Sequence, residues 1–233
     1  MGTSAAYDLA RRMTWLVVGL FSEGPTDRRF LPRIVYRTLL GIVQAEAARA
    51  VELQEDIVAY IEKPNAERAE LVCRDRENVD LFVIHADASR SLVDQIEARL
   101  IGQVRASARA ACAMTEARIV PLIPVRETEA WMLADPDAVA RVFGFSAWPE
   151  RVAVSWYPER AETVEDPKRT LTEAVRGLFG GRKGRRVPGP EGLFDQIAEE
   201  IDLRRLARLP SYQRFEADLR SGLGALGILR RAP

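Results

Sequence analysis

Residues 15–31, WLVVGLFSEGPTDRRFL, constrain this chain more than any other stretch: an apolar run, a tight polar turn holding Glu23 and Asp27, then an amphipathic start. The pattern predicts a strand feeding a helix through a loop that carries two carboxylates. In an open α/β sheet, ligands sit in the crevice beyond the carboxyl ends of the strands, so Glu23 is expected where chemistry is usually done. Pro25 and Thr26 open the helix, and Phe30, Leu31, Ile34, Val35, Thr38 and Leu39 recur at helical spacing, giving a helix to about Ala48 that packs one side on the sheet. Asp27 falls in its first turn, where the helix dipole favours a carboxylate, so a purely structural role is open to it as well.

The α/β texture continues from there. Residues 51–62 form a second strand candidate whose alternation is interrupted by acids, and Asn65 is expected to cap a helix running towards Arg76. Val79 to Ile84 is apolar on both faces, as in a parallel strand covered by helices, and it runs directly into His85, Ala86 and Asp87. Side chains two apart on a strand point the same way, so His85 and Asp87 should project together at its carboxyl end, beside Glu23 if the two strands are neighbours. The alternatives are an N-cap role for Asp87, ahead of a helix starting near Ser91, and a loop-bonded imidazole for His85. Ser91 to Ala117 reads as one long helix, or two broken near Gly102, and Arg118 to Pro124 as an edge or irregular strand, since its prolines lack ladder donors.

That strand ends in RETEAWMLAD, so Glu127 and Glu129 become a third set of strand-end acids, with ordinary first-turn helix acids as the alternative. From Asp135 strand-like runs become scarce, and residues 168–179, 192–208 and 212–223 look helical. We therefore expect an α/β domain over residues 1–135 and a helical C-terminal part over 136–233 packed on the core. Residues 180–190, GGRKGRRVPGP, hold Arg182, Lys183, Arg185 and Arg186 with no acid among them, which makes them candidate phosphate contacts or a merely solvated loop.

Composition narrows the chemistry. Lys+Arg and Asp+Glu are both 34, so no global field draws nucleic acid, although local patches still can. One histidine is too few for a His-rich metal site, and Cys73 and Cys112 lack CxxC spacing, so they are expected as buried thiols in a reducing compartment. The apolar run of residues 15–21 is too short to span a bilayer, and a cytoplasmic protein is expected. No GxxxxGK[ST] loop and no GxSxG elbow occurs, which argues against an ATPase of that class and a Ser-His-Asp hydrolase. Carboxylates at three strand ends, with little His and no Cys among them, suit hard divalent ions such as Mg²⁺ or Mn²⁺.

Glu23-Gly24 after a strand, a second acid at Asp27, and positions 85 and 87 after another strand resemble the TOPRIM domain, the metal-binding module of topoisomerases, primases and nucleases of the OLD (overcoming lysogenization defect) type. More closely, EGPTDRRFLPRIV, VIHADAS, RETEAWMLADP, the Asp166-Pro167-Lys168 triplet and PSYQRFEADLR together resemble a family of bacterial TOPRIM-like proteins often encoded beside ABC-type or AAA ATPases in anti-phage defence loci. The resemblance implies a TOPRIM-like Rossmannoid α/β fold with a central, mostly parallel sheet and a helical C-terminal extension. It implies Glu23 as the TOPRIM glutamate, Asp27 as the additional acid of the OLD type and Asp87 as the second aspartate of the acid pair. Glu129 takes the glutamate of the EAWxLAD stretch, and Lys168 a lysine that stabilises negative charge on phosphate. His85 stands where the pattern usually has the first aspartate, and imidazole is a poor Mg²⁺ ligand. The implied activity is a divalent-metal-dependent nuclease acting on nucleic acid, DNA ahead of RNA. The alternative is a catalytically weak subunit that partners an ATPase or senses a phage product.

Overall fold

The computed structural model describes residues 14–61, 63–88, 93–180 and 189–230. Strand β1 (Thr14–Leu16) continues into β2 (Val18–Ser22), which feeds helix α1 (Asp27–Glu46) as the apolar-turn-amphipathic pattern requires. There follow β3 (Val51–Leu53), β4 (Val58–Ile61), α2 (Asn65–Asp75) and β5 (Leu81–His85). A short α3 (Val93–Ile96), a π-helical turn (Glu97–Ile101) and α4 (Gly102–Cys112) lead to β6 (Ile119–Leu122). The rest is helical: α5 (Glu129–Leu133), α6 (Pro136–Val142), α7 (Pro167–Leu178), α8 (Phe194–Glu200), α9 (Leu203–Leu206) and α10 (Pro210–Ala225). The chain is thus α/β with a helical C-terminal part, and among the described residues no helix is long and apolar enough to cross a membrane.

The main sheet is parallel in the order β4-β2-β5-β6, and β1 pairs with β3 in the same sense below it. The chain moves from β2 to one side (β4) and then returns to the other (β5), so the strand order reverses between β2 and β5. A crevice opens at such a point because the connecting helices leave on opposite faces. Alternation along the strands divides the core accordingly. Leu20, Leu81, Val83, Val120 and Leu122 face α1 and α10, whereas Phe21, Phe82, Ile84 and Ile119 face α2 and α4. Phe194, Tyr212, Leu219 and Leu223 of the helical part belong to the first of these layers, so the helical part completes the core on one face of the sheet.

β6 is an edge strand with Pro121 inside it, as the missing donors predict, and α10 covers it. The close approach is made at Gly222, where a Cβ would stand 2.9 Å from the Ala117 carbonyl oxygen and 2.9 Å from Leu81. Two expectations are corrected. Asn65 is the first residue inside α2 and sends its side-chain amide to Gln103 Oε1 at 2.7 Å instead of capping, because α4 packs alongside and offers a nearer acceptor. Cys73 and Cys112 are not separate thiols: the packing of α2 against α4 brings their Cα atoms to 5.7 Å and they form a disulfide. It joins the C-terminal ends of two helices that each precede a strand, at the end of the sheet opposite the strand carboxyl ends.

Candidate active site

The carboxyl ends of β2, β5 and β6 deliver polar side chains to one place. From the β2 end, Glu23 is half-buried and Asp27, in the first turn of α1, is buried. Asp27 Oδ2 accepts from the Gly24 amide at 2.9 Å, so the carboxylate closes its own turn as well as facing the crevice. From β5, His85 is fully buried, and its Nε2–H donates to Asp87 Oδ1 at 3.2 Å, which bears out the expected pairing of positions 85 and 87. The Ala86 and Ala88 amides bond the Leu122 and Pro124 carbonyls, so the loop bearing Asp87 is held by the neighbouring strand end.

The third strand end reaches the site through a residue that titration-minded sequence reading passes over. Thr128, 1% exposed, donates from Oγ1 to Asp27 Oδ1 at 2.9 Å, and the same oxygen lies 3.4 Å from His85 Nε2. The backbone just before it holds Arg126 at a φ of +76°, a conformation that costs a non-glycine residue energy. Nothing local in RETEAW marks Thr128 beyond its place between Glu127 and Glu129.

The electrostatics follow from burial and the acids. Burial alone would lower the His85 pKa, but the bond to Asp87 and the charges of Asp87, Asp27 and Glu23 outweigh it and raise the imidazole above its ordinary value. His85 Nδ1 lies 4.0 Å from Asp27 Oδ2 and has no hydrogen-bond partner among the described residues. Buried Glu129 has its carboxyl pushed up to about 7, mainly by desolvation, with Glu127 and Asp27 adding to the rise and Lys168 opposing it. Lys168 is exposed in the first turn of α7, whose N-cap is Asp166, accepting from the Arg169 amide at 2.9 Å. Asp135 of the LADP stretch is likewise a cap: it accepts from the Ala138 amide at 3.1 Å and the Asp202 amide at 2.9 Å. Arg182, Lys183, Arg185 and Arg186 lie outside the described residues.

Carboxylate oxygens with one imidazole are a donor set that suits a divalent ion. As the side chains stand, however, Asp27, Thr128, His85 and Asp87 are tied to one another by hydrogen bonds. Among the described residues no group of three or more His, Cys, Asp or Glu is arranged to hold a metal ion. His85, Asp87, Thr128 and Asp27 do not make a nucleophilic triad either, because Thr128 and Asp87 meet the same imidazole nitrogen and Thr128 is closed to solvent.

No curated protein and no solved structure matches this chain. Residues 22–220, from the last residue of β2 into α10, match the model of one family, described as a domain of unknown function (DUF4276). The match covers most of the chain and all the residues that build the strand-end site, and the chain belongs to the DUF4276 family.

Proposed function

We propose that this protein is a TOPRIM-like, divalent-metal-dependent nuclease that hydrolyses phosphodiester bonds as part of an anti-phage defence system. The observation that carries the reading is the meeting of Asp27, His85, Asp87 and Thr128 at the switch point of a parallel sheet, linked by contacts of 2.9–3.4 Å, with Glu129 and Lys168 electrostatically coupled beside them. Mg²⁺ or Mn²⁺ would be held by Glu23, Asp27 and Asp87, with His85 next to them, and would supply Lewis acidity to a phosphodiester oxygen. Glu129, whose carboxyl is pushed up to about 7, keeps its proton in part of the molecules at neutral pH and is suited to give it to the leaving oxygen. Lys168, at the exposed lip, meets the negative charge of the phosphate. Thr128 fixes the rotamer of Asp27, so that the carboxylate is oriented before substrate arrives.

A second reading is favoured by one observation: the acid pair's first position is an imidazole already bonded to Asp87, and no chelating group is assembled among the described residues. On that reading the chain is a catalytically weak subunit that binds an ABC- or AAA-type ATPase or a phage product. Cleavage of plasmid, linear duplex, single-stranded DNA and tRNA with Mg²⁺ or Mn²⁺, by the wild type and by Glu23→Ala and Asp87→Ala, decides between them. Metal-dependent cutting lost in both variants at unchanged melting temperature supports the nuclease. Absence of cutting by the wild type, alone and with an added ABC- or AAA-type ATPase, supports the binding subunit.

A further inference from the structure

Two neighbouring residues at the start of α10 grip two of the helices that carry site residues. Ser211, 5% exposed, accepts at Oγ from the Trp131 indole N–H at 2.9 Å and donates a hydrogen bond from its own hydroxyl to Glu162, whose carboxylate also accepts from the Ser211 amide at 3.3 Å. Trp131 is fully buried in the middle of α5, two residues after Glu129. Tyr212 reaches the other way. Thr38 Oγ1 donates to the Ile34 carbonyl at 2.7 Å, so at its 2.8 Å contact with the Tyr212 hydroxyl it is the acceptor, and Tyr212 donates. Thr38 belongs to α1, the helix that begins with Asp27. The rings complete the join: Trp131 meets Tyr212 edge-on at 5.3 Å, and Phe215 packs on both at 6.2 and 6.3 Å.

The gripping residues are themselves fixed, because α10 is seated on β6 by the close approach at Gly222. α1 is one 20-residue helix held at Thr38, with Pro32 between that point and Asp27, and α5 is buried throughout and held at its middle residue, so a shift at either hold is passed through close packing towards the helix's first turn. The two helix starts meet at the 2.9 Å bond from Thr128 to Asp27. We propose that Ser211 and Tyr212 are positioning residues: a bracket from the C-terminal helix that sets the spacing between Asp27 on α1 and Thr128 and Glu129 at α5. The inference rests on the nuclease reading for its catalytic meaning and on geometry alone for its physical content.

The test uses the full chain, with side-chain NMR of the Thr128 methyl and the Asp27 carboxyl, in Ser211→Ala, Tyr212→Phe, Ser211→Thr and Tyr60→Phe. Tyr60→Phe is the control, since it removes a comparable 2.7 Å bond, to Asp75, on the opposite face of the sheet. The bracket predicts that both site resonances move in Ser211→Ala and Tyr212→Phe. They stay in Tyr60→Phe, and Ser211→Thr restores them. It also predicts a fall in kcat of roughly ten- to a hundredfold with KM unchanged, the effect of a small misplacement of reacting groups. Site resonances that stay fixed in both bracket variants, while stability falls as it does in Tyr60→Phe, would overturn it. If Ser211→Ala does not fold, Tyr212→Phe, which removes one oxygen from a ring that keeps its packing, decides alone. If the wild type cleaves nothing, the nuclease reading falls and the resonances still decide the bracket.

Discussion

Glu129 is a buried carboxyl with two other acids close by. Its carboxyl keeps its proton up to about 7 in the folded chain and loses it near 4.5 when unfolded, so between those values the folded state binds more protons. Its contribution to stability is therefore fully present below pH 4.5 and is lost as pH rises through 7. His85 acts in the same direction, contributing below 6.5 and losing its contribution as pH rises through its raised folded value. Glu129→Gln should match the wild type at about pH 4 and exceed it at about pH 8 by up to about 3 kcal/mol, as read by urea unfolding at the two pH values. A gain of the same size at both would place the effect in packing and not in the proton. Thr128→Val keeps the shape but takes the donor from buried Asp27, and should cost about 1.5–3 kcal/mol in the same measurement. Thr128 was illegible in the sequence for a physical reason: a hydroxyl acquires a role only from its partner, and its partner is 101 residues away.

At the scale of elements, local pattern was enough to read most of the strands and helices. β5 declares itself by being apolar on both faces, β6 by its prolines, and α1 by the spacing of Phe30, Leu31, Ile34 and Val35. The break in the long helical stretch falls at Gly102, where the π-turn gives way to α4. Pairings between elements were not legible in the same way. Asn65 looks like a cap until α4 lies beside it, and the cysteines look unrelated until α2 and α4 pack. Their disulfide ties the two helices at the end of the sheet away from the site. Reduction or Cys73→Ser should therefore lower stability by about 2–4 kcal/mol while leaving the Thr128 and Asp27 resonances where they were. A shift of those resonances on reduction would mean that the two ends of the sheet are coupled.

Over the whole molecule, the site is assembled from three strand ends on one side and held by the C-terminal helices on the other, so neither part makes it alone. The order β4-β2-β5-β6 brings Glu23 and Asp27 next to His85 and Asp87, an adjacency the sequence reading could state only as a condition. Glu162, Ser211 and Tyr212 belong to stretches that read simply as helical, and only the folded chain joins them to Trp131 and Thr38. The central claim is that these strand-end acids hold a divalent ion for phosphodiester hydrolysis, and calorimetric titration with Mn²⁺ addresses it most directly. The account predicts saturable binding by the wild type that is lost in Asp27→Asn and in Asp87→Asn, both still folded. Absence of binding by the wild type, or binding that survives both substitutions, would contradict it.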